Sequence, residues 1–366
     1  MPGSARAPLA ERLEIAMHRT WSGHGPLSTL LLPVAWAFET GSALRRRLYT
    51  RGVRSVDRLP VPVIVVGNLI VGGAGKTPTV IALVDMLRRR GYTPGIVSRG
   101  YGRFGDEIVA VSSDASSERV GDEPLLLRRR TGATVVVGAD RVAAGHALLA
   151  LDPTVDVVVS DDGLQHLGLD RDIEVLVFDE RGAGNGRLLP AGPMRERLPR
   201  ATSPRQIVLY NAAAPTTALP GFTARRALAG VVPLADWWSG VTPEPGSLAE
   251  LRDKDVVAVA GLAQPERFFS MLRDQGMRLR ELPLTDHADF ATLPWPADAG
   301  DVIVTEKDAV KLPPSRRMGT RVWVARLDFT PEPAFDAAVL ALLPPPHAPL
   351  VCEPTLVAPS HGNTPA

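Results

Sequence analysis

"VPVIVVGNLIVGGAGKTPTVIALVDMLRRRG", residues 61–91, decides the fold. An apolar, β-branched run from Val63 to Val66 meets a glycine-rich turn, then Lys76 and Thr77, then an amphipathic helical pattern. Strand, loop and helix in that order are the context in which a phosphate-binding loop works. The common spacing of such loops asks for glycine at position 70, and this chain has Ile70. Its absence removes the earliest turn but not the chemistry. The loop Ile70, Val71, Gly72, Gly73, Ala74 and Gly75 can still turn backbone N–H groups toward anionic oxygens at a helix N-terminus. Lys76 can reach the β- and γ-phosphates of a nucleotide, and the Thr77 hydroxyl can hold Mg²⁺.

Outward from this stretch, continuous apolar runs alternate with helix-period segments. The runs are "PGIVS" (94–98), "TVVVG" (134–138), "VDVVVS" (155–160), "IEVLVF" (173–178) and "QIVLY" (206–210). Helical spacing covers Thr79–Arg90, Glu123–Arg130 and Arg141–Leu151. Unbroken Val/Ile strands joined by helical crossovers mean a parallel sheet with helices on both faces. The Pro-rich "PAGPMRERLPRATSP" and "NAAAPTTALPG" then mark loops and a hinge. A smaller α/β set follows: "VVAVAGL", the helix "ERFFSMLRDQG", "DVIVTEKDAV", "RVWVARLDF" and a last helix near 333–343. The expected organisation is an apolar and basic helical segment over 1–58, a P-loop NTPase-like core over 59–212, a smaller C-terminal α/β lobe over 213–343, and a disordered Pro-rich tail over 344–366.

Composition narrows the function classes. A 45% hydrophobic, 22% charged chain of 366 residues with net charge +1 has a soluble, globular balance, and bulk-charge binding of nucleic acid is excluded. The single cysteine, Cys352, excludes a disulfide framework and a cysteine metal cluster. The N-terminal residues lack the apolar core of a signal peptide. Residues 26–38, "PLSTLLLPVAWAF", are apolar and precede Arg45–Arg47, but they are too short for a membrane span of about 20 residues. Two readings stand: a helix buried on the main domain, or an interfacial segment with its arginines facing anionic headgroups. Only four of the 41 basic residues are lysines: Lys76, Lys254, Lys307 and Lys311. In an arginine-biased chain, each marks a place where a compact ammonium can suit better than a planar fork.

A P-loop needs an acidic partner on a neighbouring strand. "VDVVVSDDGLQH" ends a buried run in Asp161 and Asp162, either able to hold Mg²⁺ directly or through water, with His166 four residues on. "SRGYGR" offers Arg99, Tyr101 and Arg103 to an anionic ligand, and Arg141 is a further candidate clamp, with no choice between substrate and nucleotide fixed by the sequence. "VGDEP" puts Asp122 and Glu123 at a helix start, where they serve chemistry or simply cap. "GNGRLLPAGPMRE" carries Asn185, Arg195 and Glu196, while "TDHADF" and "TEKDAVK" carry His287, Glu306 and Lys307. Ligands of open parallel sheets gather at the C-terminal strand ends, so these loops should converge.

Together "VGNLIVGGAGKTP", "SRGYG", "GDEP", "DDGLQH", "GNGRLLPAGPMRE", "AQPERFF" and "TEKDAVK" resemble the tetraacyldisaccharide 4′-kinase family, in order from about Trp21 to Phe329. That resemblance implies ATP and Mg²⁺, and phosphorylation of a lipid-linked glucosamine disaccharide 1-phosphate in lipid A synthesis. It also implies attachment to the cytoplasmic face of the inner membrane of a Gram-negative cell, with no nucleic-acid or protein partner evident. The family's phosphate loop itself lacks the first glycine. Residue by residue, the resemblance assigns the catalytic base to Asp122, its paired histidine to His287, and metal and phosphate roles to Thr77, Asp161, Asp162 and Glu196. Arg99, Tyr101, Arg141 and His166 are left as substrate candidates. Two departures are local: no Gly-Asn precedes Pro265, and Ala288 stands where a second histidine is common. The rival class, a nucleotide-switch protein or metallochaperone with a similar loop, is disfavoured by Val71, where some of that group carry a lysine before the double glycine. A cytosolic small-metabolite kinase is the third reading, separable by membrane partitioning.

Overall fold

The computed structural model describes residues 17, 20, 21, 23–244, 246–286, 288, 290–316 and 319–346. His287, Cys352 and the tail beyond 346 lie outside the described residues. The strands are β1 Val63–Gly67, β2 Pro94–Ser98, β3 Val109–Ala110, β4 Val135–Val137, β5 Val157–Asp161, β6 Ile173–Asp179, β7 Gln206–Asn211, β8 Phe222–Pro233, β9 Asp255–Gly261, β10 Arg278–Leu284, β11 Asp301–Thr305 and β12 Arg321–Pro331. They form one sheet in the order β10-β9-β11-β12-β8-β7-β6-β1-β5-β2-β4-β3. Pairing is parallel except where β3 meets β4 and β8 meets β12.

β1, the strand that feeds the glycine loop, lies between β5 and β6, with Val66 opposite Asp161. Both faces of this strand are buried, which is why its residues read as an unbroken apolar run. Ile64 and Val66 join one core with Val80, Leu83, Val84 and Leu87 of helix Lys76–Arg89. Val63 and Val65 join the opposite core with Ala144 and Leu148 of helix Arg141–Leu151. Each such side chain contributes roughly 1.5–3 kcal/mol when fully buried.

The join between halves is a single strand. β8 pairs with β7 through Phe222 and Thr223, then turns its remaining length against β12. The hinge expected from the Pro-rich loops is therefore bridged by a continuous sheet.

At the N-terminus, helices Pro26–Leu30 and Leu32–Thr50 meet at Leu31, and Pro33 falls in the first turn of the second, where no N–H is needed. Of the second helix only Ala35 is buried, while Val34, Trp36 and Leu44 on it and Leu30 at the end of the first are 54–75% exposed. The buried-helix reading is thereby corrected. The arginines expected to face headgroups are partly engaged with the protein: Arg45 donates to the Gln165 carbonyl at 3.1 Å, and Arg46 pairs with Glu196. No described helix is long and apolar enough to cross a membrane.

Candidate active site

The helix after the loop starts at Lys76, three residues earlier than its periodicity suggested. Gly75 closes the loop at φ 97°, and a Cβ there would lie 2.1 Å from Asn211 Nδ2, so both backbone shape and space require glycine. Lys76, Thr77 and Pro78 form the first turn; Pro78 has no N–H to offer, so the backbone donors that this turn presents to an anion are those of Lys76 and Thr77. Ile70 answers the missing glycine. It is fully buried and bridges to Met194, while Val71 N–H donates to the Pro193 carbonyl and Arg195 N–H to the Leu69 carbonyl. Leu69–Val71 is an extended strap to the 188–195 loop rather than a turn.

Lys76 Nζ lies 3.3 Å from Asn68 Oδ1 and 3.5 Å from Asp162 Oδ1. Asp162, with φ 48°, is the one described non-glycine residue in the left-handed region, a conformation aspartate tolerates. Its carboxylate meets Lys76 on one side and Arg195 at 3.3 Å on the other. Burial opposes its charge, but Lys76 and Arg195 hold its pKa below the usual carboxylate range. Asp161 is different. Burial, then the charges of Glu123 and Asp162, push it up to about 7. Ser98 Oγ donates to its Oδ2 at 3.1 Å, and its Oδ1 is buried with no hydrogen-bond partner.

An orphaned buried carboxylate oxygen, on the strand beside the loop, fits a hard cation that takes oxygen ligands. Thr77 and Asp161 are the residues that would hold Mg²⁺, with Asp162 adjoining. Glu196 is not drawn into this cluster, because Arg46 engages its carboxylate.

A cleft of about 450 Å³ opens beside the loop, lined by Lys76, Thr77, Glu123, Arg226, Gln264 and Lys307. Ile81, Leu126, Leu262, Phe268 and Phe329 supply its apolar wall. Asp122 and Glu123 are the first residues of helix Asp122–Thr131 and do not act as its N-cap, which is Gly121. Their carboxylates meet lysines from the C-terminal half: Asp122 with Lys311 at 3.3 Å, Glu123 with Lys307 at 3.1 Å. The substrate candidates divide. Arg99 and Tyr101 are exposed at the end of β2. Arg141 is buried, donates to the Gly138 carbonyl at 2.7 Å and leaves Nε without a partner. Burial lowers its pKa, with Asp161 and Asp162 opposing. His166 lies 3.7 Å from Asp140, and burial, then Arg141, lowers its pKa.

Several contributors escaped sequence reasoning. Arg181, held by buried Asp179, donates to the Gly73 carbonyl at 3.1 Å, and Asn211 donates to the Ala74 carbonyl at 2.9 Å. Arg226 of β8 brings an Nη within 3.1 Å of where a Gly75 Cβ would be, and burial lowers its pKa to about 10. Arg181 follows β6, the strand next to β1, so a correct strand order was the signal that could have found it.

A family profile described as Tetraacyldisaccharide-1-P 4′-kinase matches residues 27–344. The chain is 55% identical over 345 residues to tetraacyldisaccharide 4′-kinase of Methylibium petroleiphilum, covering 93% of this chain and 96% of that protein. Against the enzyme of the same name from Leptothrix cholodnii it is 55% identical over 339 residues, covering 92% and 97%. Among solved structures, LpxK from Aquifex aeolicus in complex with ATP superposes with a TM-score of 0.71 at 28% identity, covering 87% of this chain and all of that one.

Proposed function

The chain belongs to the tetraacyldisaccharide-1-P 4′-kinase family, and from that premise we propose how its own residues carry the reaction. The activity is transfer of the γ-phosphoryl group of ATP to the 4′-hydroxyl of a tetraacyldisaccharide 1-phosphate, a step of lipid A biosynthesis. The observation that carries the residue-level reading is that Gly73, Gly75, Lys76 and Thr77 of the loop share one cleft with Glu123, while the orphaned Asp161 carboxylate feels the charges of both Glu123 and Lys76.

Phosphoryl transfer asks a protein chiefly for positioning and charge stabilisation. The loop N–H groups and Lys76 bind the phosphates, and the apolar wall of the cleft accepts the base of the nucleotide. Mg²⁺, held by Thr77 and Asp161, supplies neutralising charge to the phosphate oxygens. Arg226 and Arg195 add cationic charge around the loop. Asp122 accepts the proton of the attacking hydroxyl, with His287 as its partner. Asp161 suits that task less, since a metal-bound carboxylate is a weak base. Arg99, Tyr101 and Arg141 remain the side chains proposed for the substrate's 1-phosphate, and His166 joins them.

The protein attaches peripherally to the cytoplasmic face of the inner membrane through the exposed apolar face of helix Leu32–Thr50. An acylated acceptor need not leave the bilayer to reach the cleft.

The test is ATP-dependent phosphorylation of the lipid-linked disaccharide 1-phosphate in detergent micelles, comparing wild type with Asp122→Asn. A positioned base contributes about 10²–10⁴-fold, so kcat should fall by that factor while ATP still binds. His287→Ala should cost less, and the double variant far less than the product of the two, because paired groups act as a unit. Turnover of Asp122→Asn within about tenfold of wild type, short of that range, would move the base elsewhere, His166 first.

A further inference from the structure

Three of the chain's four lysines have side chains buried at the active site: Lys76, Lys307 and Lys311. Lys76 belongs to the phosphate loop. The other two come from the "TEKDAVK" segment of the C-terminal half, and their contacts form a pattern that the reaction chemistry described above does not use.

Lys311 Nζ lies 3.3 Å from Asp122 Oδ2 and 3.5 Å from Asp308 Oδ1, and donates to the Ala288 carbonyl at 3.0 Å. Lys307 Nζ lies 3.1 Å from Glu123 Oε1 and 2.8 Å from Asp286 Oδ1. Each ammonium therefore reaches in two directions. One contact goes to the Asp122–Glu123 segment, and the other goes to a residue on one side of position 287. The Lys311 side chain is 6% exposed and that of Asp122 is 13%, so this pairing is not a loose surface contact screened by solvent. Asp308, turned toward Lys311, is fixed from behind: its Oδ2 accepts from Gly261 N–H at 3.0 Å and from Thr305 Oγ1 at 2.7 Å. Burial opposes charge on Lys307, yet Glu123 and Asp286 together raise its pKa above the ordinary lysine value.

We propose that Lys311 and Lys307 are positioning residues for phosphoryl transfer, clamping the base-bearing segment Asp122–Glu123 against Asp286 and Ala288 so that the carboxylate is aimed before substrate arrives. The proposal rests on the assignment of Asp122 as base. A tetrahedral ammonium can serve three separate partners at once, as Lys311 does with one hydrogen bond and two ion pairs, whereas a guanidinium presents its donors in one plane. That difference gives a physical reason for lysine at these positions in a chain that otherwise uses arginine. A carboxylate left to rotate misplaces the proton acceptor, and a displacement of about 1 Å can cost 10²-fold.

The experiment is Lys311→Met assayed alone and in the Asp122→Asn background, with kcat, KM for the micellar disaccharide 1-phosphate, ATP Kd and thermal midpoint measured for each. The expected result is a kcat loss of about 10²-fold with ATP Kd unchanged, and no more than about threefold further loss once Asp122 is already asparagine. An equal loss in both backgrounds, or a loss of ATP binding in parallel, overturns the clamp and leaves only a structural role. A mild effect of Asp122→Asn alone refutes instead the base assignment, so the two failures are distinguishable. Should Lys311→Met not fold, Lys311→Gln keeps a donor for the Ala288 carbonyl and replaces it. Lys307→Met is the independent check, expected to lower kcat without changing ATP Kd.

Discussion

Replacing Ile70 with the glycine that phosphate loops ordinarily carry at that place should damage the protein rather than improve it. The side chain is fully buried in the same core as Leu69, Leu188 and Met194. Its neighbours in sequence tie the loop down through Val71 N–H to the Pro193 carbonyl at 2.9 Å and Arg195 N–H to the Leu69 carbonyl at 2.7 Å. Truncating a buried isoleucine to alanine costs about 2–5 kcal/mol. Going on to glycine adds roughly 0.5–1 kcal/mol of backbone entropy. With a urea dependence of about 3 kcal/mol per molar, Ile70→Gly should lower the urea midpoint by roughly 1–2 M. The N–H cradle begins two residues later at Gly72, so ATP binding to the folded fraction should weaken by less than about tenfold, or 1.4 kcal/mol. Urea denaturation followed by fluorescence gives the first number, and titration with ATP gives the second. A glycine variant as stable as wild type, or one that binds ATP more tightly, would refute the reasoning.

Arg130 and Glu306 form a buried ion pair between helix Asp122–Thr131 and the C-terminal half, with Trp237 Nε1 donating to Glu306 at 3.2 Å. Arg130→Met should destabilise by about 3–5 kcal/mol because it strands a buried charge. The added substitution Glu306→Leu should restore most of that loss, which denaturation midpoints of the single and double variants will show. Changing Leu30, Val34, Trp36 and Leu44 together to serine leaves the core untouched, since all four are exposed. It should release the protein from vesicles of anionic lipid and raise KM for micellar substrate but not for ATP. Sedimentation with the vesicles at the wild-type level would assign membrane contact to another surface.

What was legible in the sequence was local. The strand–loop–helix of residues 61–91 and the acidic end of β5 are read within a few residues each, and the strands buried on both faces announce themselves as Val/Ile runs. β8 and β10 were not legible for the opposite reason. "FTARRALAGVVP" is partly or fully exposed through Arg225–Ala229 and buried only at Ala224 and over Gly230–Val232 as it crosses from one half of the sheet to the other, and "RLRELPL" carries the charges and proline of an edge strand. Glu196, assigned to metal by resemblance, meets Arg46, which lies 150 positions away along the chain. Arg181, Asn211 and Arg226 meet the loop only because β6, β7 and β8 follow β1 in the sheet, an order that no local pattern encodes.

The lysines are the exception, because a property of the whole chain pointed to particular places in the fold. Thirty-seven of the 41 basic residues are arginine, so that side chain serves wherever a surface charge is enough. Lys76 lies between an amide oxygen and a carboxylate at the mouth of a loop whose other donors are backbone N–H groups. Lys307 meets carboxylates from two separate segments, and Lys311 meets two carboxylates and a carbonyl. In all three cases the acceptors converge on a point rather than line up along an edge, and the side chains are 6–13% exposed, leaving little room to swing a longer group aside. A point charge with rotatable donors satisfies that geometry; a rigid planar fork satisfies acceptors set side by side, such as the Asp170 and Asp172 carboxylates that the two Nη groups of exposed Arg58 reach. The use of lysine thus follows the shape of the acceptor set, and it picks out the loop and the two contacts with Asp122 and Glu123 for which a positioning role is proposed.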